Sequence, residues 1–115
     1  MKTYLLGKKA EDVASSFLIK NGLVLVTRNY RCRFGEIDLI MQDSDTLVFI
    51  EVRYRKNDNY GDAAESVGRE KQRKLVFTAN QYLIEHPCDT PTRFDVVALT
   101  GNQTPQWITN AFSAF

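Results

Sequence analysis

Residues 35–55, GEIDLIMQDSDTLVFIEVRYR, decide how the whole chain is read. Two apolar runs flank a polar turn at residues 43–46, the pattern of a β-hairpin. Strand side chains alternate with period two, so Ile37, Leu39 and Met41 take one face and Glu36, Asp38 and Ile40 the other. In the second run Val48, Ile50 and Val52 oppose Leu47, Phe49, Glu51 and Arg53. Matching the two fully apolar faces predicts an antiparallel register, with Met41 beside Val48, Leu39 beside Ile50 and Ile37 beside Val52. That register sets Asp38 opposite Glu51 and Glu36 opposite Arg53. Two carboxylates facing each other across a strand pair repel unless a cation sits between them.

Outward from the hairpin, the apolar positions Ala10, Val13, Ala14, Phe17 and Leu18 follow the spacing of an amphipathic helix over residues 8–20, closed by Asn21 and Gly22. LVLVTRNY, residues 23–30, is β-branched and aromatic and predicts a first strand. Beyond Arg55, KNDNYGDAAESVG has no period and is read as a loop. A second helix is predicted over residues 69–85, with Leu75, Val76, Ala79, Tyr82 and Leu83 on one side and Lys71 and Gln72 one turn earlier on that side. Prolines 87 and 91 break it before a strand over residues 93–100, and QWITNAF forms a short strand or helix. Helix, three strands, helix and strand in that order predict an α/β fold, a central mixed β-sheet flanked by helices. The last strand arrives after a helix, which suits parallel pairing through a crossover.

A chain of 115 residues, 43% hydrophobic and 25% charged, has the size and composition of a single globular domain, spanning residues 1–115. Cys32 and Cys88 are far apart and share no ligand-like spacing, so neither zinc nor a disulfide framework is indicated. No apolar run has the length of a signal peptide core or membrane span, and a cytoplasmic location is expected. The net charge of +1 hides an uneven distribution. Arg28, Arg31 and Arg33 precede the hairpin, Arg53, Arg55 and Lys56 end it, and Arg69, Lys71, Arg73 and Lys74 follow. Such groups are either solvated surface charge or, where folding makes them converge, a phosphate-binding rim. Arg31, Arg33, Arg55, Lys56 and Lys71 are the candidates for that rim.

Asp38 and Glu51 on neighbouring strands are a pair of hard oxygen ligands suited to Mg²⁺ or Mn²⁺, and the Val52 carbonyl between Glu51 and Arg53 offers a third oxygen. Arg53, on the face of Glu51, would lie where a cation steadies a phosphate oxygen or an attacking water. The competing reading is an exposed face with ion pairs of Glu36 to Arg53 and Asp38 to Arg55, worth ~0–1 kcal/mol each. Asp95 either approaches this site or pairs with Arg93 or an arginine of the YRCR segment. His86 reads as a helix-end residue. Tyr30, Tyr54 and Tyr60 are either base-stacking or packing groups.

These residues resemble a known pattern. Asp38 followed by Glu51-Val52-Arg53 is similar to the PD-(D/E)xK metal-dependent nucleases, whose fold is restriction-endonuclease-like. More closely, Glu11 with Ala14, Arg28-Asn29-Tyr30, Gly35-Glu36-Ile37-Asp38, Phe49-Ile50-Glu51-Val52, Tyr60-Gly61, Ser66-Val67, Lys71 and Arg93-Phe94-Asp95 resemble the small bacterial YraN family (UPF0102), a group similar to Holliday-junction resolvases. The resemblance implies a divalent metal site and a nucleic-acid substrate; DNA of branched or structured form is the expected partner, and symmetric cutting of both strands of a junction would favour a homodimer. It also implies that Glu11 completes the site from the first helix and that Gln72 or Lys71 assists from the second. The family pattern carries lysine where this chain has Arg53. Arginine keeps the charge and grips phosphate with two prongs, but its pKa above ~12 bars it from acting as a base. A non-catalytic nucleic-acid-binding or adaptor module is therefore the alternative.

Overall fold

The computed structural model describes residues 2–55, 67–100 and 104–114. Helix α1 (Lys2–Lys20) is followed by the strands β1 (Val24–Cys32), β2 (Gly35–Asp43) and β3 (Thr46–Arg55). Helix α2 (Arg69–Glu85) then leads to β4 (Thr92–Thr100) and β5 (Gln106–Phe112). The strands form one sheet in the order β1-β2-β3-β4-β5. Every neighbouring pair is antiparallel except β3 and β4, which are parallel. A parallel neighbour needs a crossover that carries the chain back to the starting end of the sheet, and α2 lies within it. The α/β architecture is the expected one, and QWITNAF resolves as a strand.

The sheet is buried on both sides. Leu39, Met41, Val48, Ile50, Val97 and Leu99 pack with Ala10, Ala14 and Leu18 of α1. Ile40, Leu47, Phe49, Phe94, Val96 and Ala98 pack with Leu75, Val76, Ala79 and Tyr82 of α2. Adjacent residues such as Val48 and Phe49 divide between the two clusters, which is the period-two signature of a sheet with a helix on each face. Each fully buried aliphatic side chain here contributes roughly 1.5–3 kcal/mol. Among the described residues no helix is long and apolar enough to cross a membrane.

The helices differ from expectation in one respect each. α1 starts at Lys2 rather than near residue 8, and among its described side chains Ala10, Ala14, Ser15 and Leu18 are buried and Phe17 packs beside them, while Val13 is left 42% exposed. α1 closes at Gly22, whose φ of 97° suits a residue without a Cβ; Leu23 N–H reaches back to the Leu18 carbonyl at 3.1 Å. α2 has the expected bounds, but its first turn is closed by Gln72. The Gln72 side-chain amide donates to the Val67 carbonyl at 2.8 Å, and its backbone N–H to the Gly68 carbonyl at 2.9 Å. The expected loop after Arg55 and the turn residues 101–103 lie outside the described residues.

The hairpin register is as the alternation predicts, with Leu39 beside Ile50 and Met41 beside Val48. The ladder ends at Leu39 and Ile50, and the faces change. Ile37 does not join Leu39 and Met41 or meet Val52. It belongs to the α2-side cluster with Ile40, whereas Val52 packs against the α1-side cluster. The cause lies in the neighbouring strand. Asn29 takes φ 54°, a left-handed conformation that breaks alternation in β1. Arg28 is still paired with Leu39, and Tyr30 with Ile37, so the interruption falls at Asn29 and Asp38 together. Arg28 reaches Asp12 of α1 at 2.7 Å, whereas the Tyr30 ring meets Tyr82 of α2 with centroids 5.1 Å apart.

At the other edge, Asp95 is fully buried and belongs to β4 and β5 rather than to the carboxylate pair. It accepts hydrogen bonds from Arg93 Nε at 3.0 Å, Trp107 Nε1 at 2.9 Å and the Asn110 backbone N–H at 2.9 Å. Arg93 extends on to Asp43 at 2.8 Å, tying β4 to the turn end of β2. Of the sequence alternatives, the Arg93 pairing is therefore the one realised. His86 is the C-cap of α2 and stacks over Tyr82 at 4.5 Å, as a helix-end residue.

Candidate metal centre

The break at Asn29 and Asp38 sets the local geometry. Glu11 of α1 and Glu36 and Asp38 of β2 each bring one carboxylate oxygen to within 4.8 Å of the others. Glu51 of β3, 5% exposed, adds a fourth carboxylate through a hydrogen bond with Asp38. Asp38 also accepts the Val52 backbone N–H at 2.8 Å, so its side chain occupies the place where a strand partner would stand. The N–H and C=O of one strand residue point to the same side, so the Val52 carbonyl also faces β2.

Crowding has an electrostatic cost. Burial, and next the Glu51 charge, push Asp38 up to about 7, against the opposing pull of the Val52 N–H. Glu11 is raised by burial and then by Asp38, while a hydrogen bond from Asn29 and the Arg28 guanidinium draw it back. Arg28 Nη2 lies 3.6 Å from Glu11. The site thus carries more negative charge than its protein partners relieve. Oxygen donors at this spacing, two of them held up by burial and then by a neighbouring carboxylate, are the donor set that Mg²⁺ or Mn²⁺ takes.

Two cations border Glu51: Arg53 Nη1 at 3.6 Å and Lys71 Nζ at 3.5 Å. Among the described ion pairs Glu36 binds Arg31 of β1 rather than Arg53; the expected pair of Asp38 with Arg55 falls on a side chain outside the described residues. The structure therefore brings together Asp38, Glu51, Arg53, Glu11, Val52 and Lys71. Gln72 is adjacent in sequence, and its side-chain amide donates to the Val67 carbonyl. Of the expected phosphate rim, Arg31 is exposed beside Glu36, and Arg33 sits over the Phe34 ring with 4.8 Å to its centroid. The Arg55 side chain and Lys56, like Tyr60, lie outside the described residues. Two participants went unnoticed in the sequence reading. Glu36 stands in the acidic group rather than against Arg53, and Asn29 both breaks the strand and bonds Glu11. An asparagine in mid-strand was the available signal, since Asn tolerates the left-handed region.

The family model described as "Uncharacterised protein family UPF0102" matches residues 10–99. A UPF0102 protein of Nitrosospira multiformis is 54% identical, the match covering 97% of this chain and 96% of that one. Another from Nitrosomonas europaea is 51% identical over 92% of each chain. One from Methylococcus capsulatus is 50% identical, over 96% of this chain and 92% of the relative. The matched region holds Glu11, Glu36, Asp38, Glu51, Arg53 and Lys71.

Proposed function

We propose that this chain, which belongs to the UPF0102 family, is a nuclease that hydrolyses DNA phosphodiester bonds with Mg²⁺ or Mn²⁺. One observation carries the reading: carboxylates from α1, β2 and β3 converge where burial and mutual repulsion hold Asp38 up to about 7. A divalent cation would remove that cost, and few other ligands would. Glu11, Glu36 and Asp38 are the residues that would hold it, with Glu51 and the Val52 carbonyl beside them. When bound, the metal supplies neutralisation of phosphate charge and acidification of a water.

The protein's own groups account for the rest. Arg53 and Lys71 flank Glu51 at 3.6 and 3.5 Å and hold positive charge next to the acidic group, where phosphate oxygens gain charge during displacement. Arg53 acts electrostatically, because its guanidinium does not give up a proton near neutral pH. Glu51, nearly excluded from water, orients both cations. The resemblance to PD-(D/E)xK nucleases supports the same assignment, with branched or otherwise non-duplex DNA as the implied substrate class.

A second reading, a nucleic-acid-binding module that no longer cuts, is favoured by one residue, Arg53 in the place of the pattern's lysine. Cleavage of linear and four-way DNA with each metal separates the two. Metal-dependent cutting that is lost in Asp38→Ala and in Glu51→Ala supports the nuclease. Binding without cutting by the unaltered protein, with either metal, supports the module.

A further inference from the structure

The turn joining β1 to β2 carries Arg31, Arg33 and Phe34, and the first turns of α2 carry Arg69, Lys71, Arg73 and Lys74 ahead of Phe77. The fold brings these segments together. Gly35, at φ 150°, approaches α2 so closely that an added Cβ would stand 3.4 Å from Thr78 Oγ1. The Phe34 and Phe77 rings meet with centroids 5.5 Å apart and planes inclined at 41°. The Arg33 guanidinium covers Phe34 from another side at 4.8 Å. Leu75, Val76, Thr78 and Ala79 are buried, yet Phe77 among them is 46% exposed. Arg73 and Lys74, both exposed, stand four and three residues before Phe77, so their side chains flank its ring on the helix surface.

A half-exposed aromatic ring ringed by cations matches one kind of partner well. Arg31, Arg33, Arg69, Lys71, Arg73 and Lys74 are accompanied on these two segments by only Glu36 and Glu70 as acids. An apolar protein partner would have to desolvate those cations without return, whereas a nucleic-acid strand offers a flat base for the ring and phosphates for its rim. A blunt duplex does not, because its base faces are already stacked. We propose that Phe77, backed by Phe34, is a stacking platform for an unpaired nucleotide whose neighbouring phosphates are held by Arg33, Arg73 and Lys74. The site therefore takes DNA with single-stranded nucleotides close to the cleaved bond.

The placement of that nucleotide rests on the nuclease reading. From Lys71, which touches Glu51, to Phe77 is six residues of helix, ~9 Å along the axis. At the ~3.4 Å rise of a stacked strand this is roughly two to three nucleotides. The platform lies within the same strand segment that would occupy the acidic group, and not at a remote site.

Fluorescence anisotropy with oligothymidylate and with a blunt duplex, in EDTA so that cutting plays no part, tests the platform. The full chain should bind the single strand more tightly. Phe77→Ala should weaken single-strand binding by about tenfold or more, with duplex binding changed less than about twofold, and Phe77→Trp should restore it with its fluorescence quenched by bound oligonucleotide. Thermal unfolding of the variants checks that the fold is kept. Equal losses on both DNAs, no loss on either, or no binding of single strand by the unaltered protein overturns the proposal. The two readings fail separately. Single-strand binding lost in Phe77→Ala, with no cutting by the unaltered protein in Mg²⁺ or Mn²⁺, refutes the nuclease and keeps the platform. Metal-dependent cutting that Phe77→Ala leaves intact on gapped and blunt DNA alike does the reverse.

Discussion

Replacing Asp38 by asparagine removes one charge from the acidic group while keeping the shape that the Val52 N–H binds. In the native protein Asp38 holds its proton up to about 7, against an ordinary value of 3.8, chiefly through burial and then through Glu51. The folded state therefore binds more protons than the unfolded state between those two values. Stability falls as pH rises where the native state binds more protons, so the contribution is fully present below about pH 4 and lost as pH passes 7. At ~1.4 kcal/mol per pH unit the ceiling is ~4 kcal/mol. Asp38 is only half-buried, and water relaxes part of the cost, so about 2–3 kcal/mol is the expected size.

Urea unfolding of the unaltered protein and Asp38→Asn across pH 4–8 reads this directly. The two should coincide near pH 4, and the variant should be more stable by about 2–3 kcal/mol at pH 8, roughly 6–12 °C in Tm for a chain this long. The difference between the curves cancels the slopes of carboxylates remote from the acidic group and reads Asp38 together with the neighbours its charge shifts. Mg²⁺ or Mn²⁺ adds a second axis, since a ligand of the folded state alone stabilises by RT ln(1 + [L]/Kd). At pH 7.5 metal should raise the unaltered protein and leave the variant nearly unmoved, and at pH 5, where the proton competes, the gain should shrink. Parallel stability curves through pH 4–8 would refute the electrostatic reasoning. A metal shift of equal size in both proteins would refute the assignment of Asp38 as ligand.

Other consequences are open to measurement. Arg53→Lys should keep metal-dependent cleavage within about tenfold, and Arg53→Ala should lose about 100-fold or more, a loss on the scale of one transition-state donor; activity unchanged in the alanine variant would remove Arg53 from the chemistry. Asn29→Gly should leave stability nearly unchanged, whereas Asn29→Val, a β-branched residue at φ 54°, should cost about 1–3 kcal/mol and weaken metal stabilisation. Asp95→Ala leaves the half-buried Trp107 Nε1 and the Asn110 N–H without their acceptor and Arg93 with Asp43 alone, and should destabilise by about 3–5 kcal/mol in urea unfolding. Ile50→Ala, deep in the α1-side cluster, should cost about 2–5 kcal/mol, with metal stabilisation retained in the folded fraction.

The parts of this molecule legible in its sequence are those fixed by periodicity. The apolar faces of residues 39–50 define their register, because a slip of one residue would turn the core outward. Leu75, Val76, Ala79 and Tyr82 mark α2 by spacing alone, and a strand following a helix points to the parallel β3 and β4 pair. Periodicity also sets the limit. It assumes an unbroken strand, and so carries Ile37 to the wrong face and sets Glu36 against Arg53. Val13 fits the helical stripe by angle, yet it is left 42% exposed while Ala10, Ala14, Ser15 and Leu18 are buried. The partner of Asp95 depends on how β5 folds back, a long-range contact for which no local pattern speaks.

The interruption at Asn29 and Asp38 is also what makes a charged site compatible with a two-sided core. Unbroken alternation through β2 would set Asp38 on the face of Ile40, among Phe49 and the apolar side chains of α2, where an ionised carboxylate costs several kcal/mol. With the break, Ile37 joins Ile40 in that cluster, and Tyr30 packs against it. Apolar groups thus occupy the positions that parity would assign to polar ones. Asp38 is left with Glu11, Glu36 and Glu51 at the end of the ladder, where the Val52 N–H stands in for a strand partner. A residue at position 29 that does not hold a positive φ therefore perturbs two things together, the packing of Ile37 and the charge balance at Asp38.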